Sequence, residues 1–230
     1  MIHALQSNEA VQKYLPLMHE LRIRIDLVSQ ACDGQMGLTA PYAHEYAYLQ
    51  FRRMCEIIAL GCLFLHGDIP FINKNKAKKE WNAERIMNML HREHPHSFPQ
   101  AIIREKVVGG GWNIQANSKP KALSRLEFKK LYFECGEVLH RGTIQSVESS
   151  THFTNEHYQK VVDWQEKIVH LMEEHAITKE KEMYVVSLKT TSGFPECTIL
   201  NQVGDGKLHA HTCKMDVSEK LQHSYISRMP

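Results

Sequence analysis

The chain has 230 residues, 23% of them charged and 43% apolar, with a formal net charge of +2. Those values fit an ordinary globular protein and exclude an intrinsically disordered one. A balance this near zero predicts no nucleic-acid partner from overall charge, although a local basic patch is compatible with it.

The six cysteines, Cys32, Cys55, Cys62, Cys135, Cys197 and Cys213, form no Cys-x-x-Cys pair. The opening MIHALQSNEAVQKYL lacks a basic region followed by an apolar run. We therefore expect a reducing, cytoplasmic setting.

In chain order, Glu9 to Cys32 carries Leu17, Leu21, Ile25 and Val28 at helical spacing, with Pro16 expected in the first turn. Thr39 and Pro41 open a second helix that runs to Gly67. From Met54 to Leu65 its only charge is Glu56. A helix apolar on all sides is buried, and this run falls short of the roughly 20 residues that cross a bilayer. It is the expected central core helix.

A basic segment follows, with Ala77, Trp81, Ile86, Met89 and Leu90 on one helical face and Pro95 as its stop. AIIREKVV, a glycine turn and WNIQ suggest a small hairpin. Ser124 and Glu127 have capping-box spacing, so a helix begins there and stops at His140-Arg141-Gly142. Thr154 opens another, striped by Tyr158, Val161, Val162, Gln165, Ile168, Val169 and Met172, which ends near His175. The period then changes to two. Tyr184 to Lys189, Cys197 to Val203 and Lys207 to Lys214 read as a three-stranded antiparallel meander.

The expected fold class is α+β, mainly α: a helical bundle around one central apolar helix with a small C-terminal three-stranded antiparallel sheet. The expected division is 1–175 for the bundle, 176–215 for the meander and 216–230 for a polar tail.

Two constellations carry chemistry. Arg52, Arg53 and Glu56 sit three and four residues apart inside the core helix, so opposite charges can meet there. Glu137, His140 and Arg141 end a second helix, where an imidazole can trade protons near neutral pH. The plain readings are an intrahelical ion pair and complementarity to the helix dipole, and both outweigh the catalytic one.

His209-x-His211-x-Cys213 and the cluster His91, His94 and His96 have metal-ligand residue types but no second matched set, so neither a metal nor another cofactor is expected. The lysine runs Lys74, Lys76, Lys78, Lys79 and Lys119, Lys121, Lys129, Lys130, with Arg125, lie near Trp81 and Trp112, a pattern that can hold single-stranded nucleic acid.

The runs LQFRRMCEIIAL and LSRLEFKKLYFECGEVLHRG resemble a family of uncharacterised bacterial and phage proteins. The shared pattern is a Gln-x-Arg-x-x-x-Glu core helix and a Cys-Gly-x-x-Leu-His helix end. That family is similar to the HEPN superfamily, whose members bind nucleotides or cut RNA, often in toxin–antitoxin or phage-defence systems.

The resemblance implies RNA or nucleotide as the partner. It also implies a site at Arg52, Arg53, Glu56, Glu137, His140 and Arg141. If the protein is an enzyme, it is expected to be a metal-independent endoribonuclease with His140 as acid or base. HEPN nucleases carry Arg, then four to six residues, then His; at that spacing before His140 this chain has Cys135, Glu134 and Phe133, none of them Arg. The alternative is a non-catalytic interaction module that dimerises or binds a partner protein as an antitoxin does. Neither reading involves a membrane.

Overall fold

The central helix forms as its composition dictates. In the computed structural model, which describes residues 2–66, 80–108, 111–116, 121–140, 153–180, 182–202 and 208–215, α1 spans Ile2–Cys32 and α2 spans Ala40–Leu65. Thr39 is the N-cap of α2 by position, with Pro41 in the first turn, but its hydroxyl makes no capping bond. Phe51, Met54, Cys55, Ile58, Ala59, Cys62 and Leu65 are all buried. They recur every three or four residues along one broad face, while Leu49, Arg53 and Phe64 on the other side are exposed, so α2 has the expected core position without being buried all round, and Cys55 and Cys62 serve as small core residues.

Around α2 pack α1, α3 (Ala83–Glu93), α4 (Arg125–Leu139) and α5 (Asn155–Met172). Pro16 lies inside α1 and not in its first turn. Gln12 and Pro16 are both exposed, so the carbonyl deprived of its amide partner faces water and the helix continues. The basic-segment helix begins at Ala83, with Asn82 as its side-chain cap; Ala77, expected within it, lies outside the described residues.

Ser124 accepts from the Glu127 amide at 3.3 Å, and Glu127 Oε2 accepts from the Ser124 amide at 2.9 Å, which completes the expected capping box. The Lys167 ammonium, bonded to Glu127 at 2.7 Å, pulls that carboxyl down to about 2 and ties α5 to the start of α4. On α5 the buried stripe is Val161, Trp164, Ile168, Leu171 and Met172, while Tyr158 is exposed.

The sheet overturns the expected fold class. It has six antiparallel strands in the order β2-β1-β3-β4-β5-β6 and curls into a half-barrel, where three strands were expected. Its strands are β1 Gln100–Lys106, β2 Trp112–Ala116, β3 Glu174–Lys179, β4 Glu182–Ser187, β5 Glu196–Gln202 and β6 Leu208–Lys214. The extra strand β3 starts two residues after α5 ends, so His175 belongs to the sheet and not to the helix end. The 100–116 hairpin is no separate ribbon, because Gln100 and Ala101 pair with Ala176 and His175.

Alternation puts His175, Ile177, Tyr184, Val186, Cys197, Ile199 and Cys213 on the face that joins the helical core. Ile102, Ala176 and Val185 form a second, smaller cluster on the opposite face.

One buried side chain joins helices to sheet. The Tyr14 hydroxyl donates to His175 Nε2 at 2.6 Å, and His175 Nδ1 donates to the Met172 carbonyl at 2.8 Å. Both residues are fully buried. On the other side of the Tyr14 ring lies Gly61 of α2, where a Cβ would stand 2.6 Å from Cε2 of Tyr14.

Gly61→Ala should therefore destabilise the protein by about 1–2 kcal/mol in urea titrations. Overpacking against a ring that cannot retreat outweighs roughly 1 kcal/mol of better helix propensity. A variant as stable as the parent would show that the helices have room to separate.

Burial also sets a pH dependence. It holds His175 down to about 4, against an ordinary 6.5. Between those values the unfolded chain binds a proton that the folded chain does not, so stability falls as pH drops through that window. His175→Gln keeps an acceptor for Tyr14 and should remove about 2 kcal/mol of the loss between pH 7 and pH 5. His44, which titrates in the same window, retains its share. Equal pH slopes for parent and variant would rule out the neutral buried imidazole.

Candidate functional site

Two of the expected charges meet as their spacing predicts. Glu56 Oε2 accepts from Arg53 Nη1 at 2.9 Å, and Glu56 Oε1 lies 3.4 Å from Arg52 Nε. The two arginines differ in what else they touch. Arg52 lays its guanidinium 5.1 Å from the centroid of the Tyr132 ring on α4. A Cβ at Gly136 would lie 3.9 Å from Arg52 Nη1. Arg52 is thus a bridge between α2 and α4, held by an ion pair and a cation–π contact. Arg53 points outward, with its side chain 58% exposed.

Gln50, the first residue of the sequence pattern, is also structural. It is buried, and its Oε1 accepts from Arg24 of α1 at 2.7 Å.

His140 is the C-cap of α4, and its backbone amide donates to the Gly136 carbonyl at 3.1 Å. Tyr132 and Gly136, one turn apart, mark the face of α4 that Arg52 touches, and His140 follows just past the helix end with extended backbone. Its side chain is exposed and bonds to no other described residue. Glu137 is likewise exposed, and Arg141 lies outside the described residues. The geometry joins Arg52, Arg53 and Glu56, and no hydrogen bond or ion pair links His140 to that group.

A second polar cluster was missed in the sequence. Glu134 of α4 is buried and accepts from Trp164 Nε1 at 3.0 Å, with Lys160 Nζ 3.1 Å away. Tyr48 of α2 lies beside it, and burial together with the Glu134 charge pushes its hydroxyl above the ordinary tyrosine range. One turn earlier on α2, His44 meets the rings of Phe153 at 5.4 Å and His157 at 5.5 Å. The legible signal was the spacing His44, Tyr48, Arg52, Glu56, which puts four polar side chains in one line along α2.

The other candidates disperse. Cys213 turns inward, its thiol donating to Asn8 at 3.3 Å, while His209 and His211 are exposed. Among the described residues no group of His, Cys, Asp or Glu gathers as a metal site would, and no helix is long and apolar enough to cross a membrane. Lys121 pairs with Glu166 and Lys129 with Glu84, while Lys74, Lys76, Lys78, Lys79 and Lys119 lie outside the described residues. Trp81 and Trp112 are exposed, and Arg104 covers the Trp112 ring at 4.8 Å.

The contrast between the arginines is measurable. Arg52→Ala uncovers Tyr132 and leaves the mostly buried Glu56 with one partner, and should cost about 1–2 kcal/mol in urea unfolding. Arg53→Ala should cost less than about 0.5 kcal/mol, as an exposed pair does. The opposite order would reverse the roles assigned here.

No protein-family model, no curated protein and no solved structure matches the chain, so the likeness to the HEPN superfamily stands on the two quoted sequence runs alone.

Proposed function

We propose that the protein works in the cytoplasm as a binder of RNA or nucleotide phosphate, through Arg53 and His140 on the surface where α2 meets α4. The observation that carries this reading is the exposed Arg53. Glu56 engages its Nη1, and the rest of the planar fork faces solvent. A guanidinium has five donors and suits phosphate. His140 adds a second polar group on the adjoining helix end. Binding is favoured over cleavage because the positions where HEPN nucleases carry Arg hold Cys135, Glu134 and Phe133 in this chain. The toxin–antitoxin or phage-defence setting implied by the resemblance belongs to the same proposal.

A second reading has its own observation. Leu126 and Phe133, seven residues apart on the outer face of α4, are 79% and 67% exposed. Apolar side chains so placed suit a protein partner or a second copy, which is the interaction-module alternative.

Fluorescence anisotropy with a labelled single-stranded RNA at two salt concentrations separates the readings. Arg53→Glu should weaken binding about tenfold and reduce the salt slope by about 1, while Phe133→Ala leaves affinity unchanged. If the parent binds no RNA, and Phe133→Ala instead changes the molecular mass by light scattering, the interaction module is the correct reading.

A further inference from the structure

Where α1 turns into α2, and the start of α5 closes over the turn, there is a cavity of about 170 Å³. Its walls include Cys32, Ala43, His44, Phe153, Tyr158 and Val161. Alanines make the space, because larger residues at Ala31, Ala40 and Ala43 would fill it.

The volume sets what it can take. An enclosed apolar cavity of about 150 Å³ accepts benzene; this pocket is of that size but open to solvent on one side, so it has room for one six-membered ring with a substituent that reaches water. Phe153 and Tyr158 offer aromatic surface, and Phe153 is itself stacked on His157 at 5.3 Å. Among the described residues of the wall, His44 carries the imidazole, beside the Cys32 thiol and the Tyr158 hydroxyl.

We infer that this cavity binds one planar aromatic ring with a hydrogen-bonding edge, a phenol or a pyrimidine base, packed on Phe153 and bonded by His44. Neither nitrogen of His44 bonds to another described residue, so the imidazole has a donor and an acceptor to offer. Burial, then the charges of His157 and Lys160, keep it neutral down to about pH 4. A few polar groups in an apolar wall are what orient a small ligand. This inference does not depend on the RNA reading, since the cavity can serve a free aromatic molecule as well as a base.

The test is ligand-observed NMR and calorimetry on the full chain, with benzene, phenol, uracil and uridine monophosphate as probes. Saturable binding of phenol or uracil is expected. Ala43→Leu, shown folded by circular dichroism, should weaken it at least tenfold. His44→Phe should weaken uracil about tenfold and leave benzene unchanged. Uridine monophosphate binding more tightly than uracil supports a nucleotide as the source of the ring; phenol binding most tightly supports a free aromatic. If Ala43→Leu fails to fold, nuclear Overhauser effects from bound phenol to the His44 ring protons decide in favour, and their absence decides against. No saturable binding of any probe, or a folded Ala43→Leu that binds like the parent, overturns the assignment.

Discussion

The fold turns on a single buried tyrosine. Tyr14 sits edge-on to Gly61 and donates its hydroxyl to His175, the second residue of β3. One side chain thus fixes how closely α1 approaches α2 and where β3 lies against both. The bond is possible because His175 is neutral and its other nitrogen already donates to the Met172 carbonyl. A charged imidazole there would require desolvation that no nearby carboxylate offsets. The same arrangement explains the glycine, since α2 has no room for even a methyl group at that crossing.

A helix buried along one broad face must pair the polar groups at the margin of that face with its neighbours or leave them to solvent. α2 does both along His44, Tyr48, Arg52 and Glu56. Tyr48 meets Glu134, and Arg52 meets Tyr132, so the middle of the line holds helices together. The outer groups remain available: Arg53 beside Glu56 at one end, His44 in a cavity wall at the other. Charge in the middle of a core helix is therefore poor evidence of catalysis, because most of it is spent on neighbouring helices.

What could be read from the sequence was local. The unbroken apolar run gave α2 its central place, Ser124 and Glu127 their capping box, and the three- and four-residue spacings their ion pairs. The six-stranded sheet was not legible because its decisive pairing, Ala101 with His175, joins residues far apart in the chain. β3 also follows α5 with almost no turn, so His175 counted equally well as the end of a helical stripe. The Glu134 cluster needed partners from three helices, and the cavity needed the absence of side chains at Ala31, Ala40 and Ala43, which no motif expresses.

The central claim is that helices and sheet are coupled through Tyr14 and His175. A double-mutant cycle with Tyr14→Phe, His175→Leu and the pair, read by urea unfolding at pH 7, tests it most directly. The account predicts a coupling energy of about 1–3 kcal/mol, because either change alone strands the other buried group. Additive effects within about 0.5 kcal/mol would contradict it and leave the two residues as independent parts of the core.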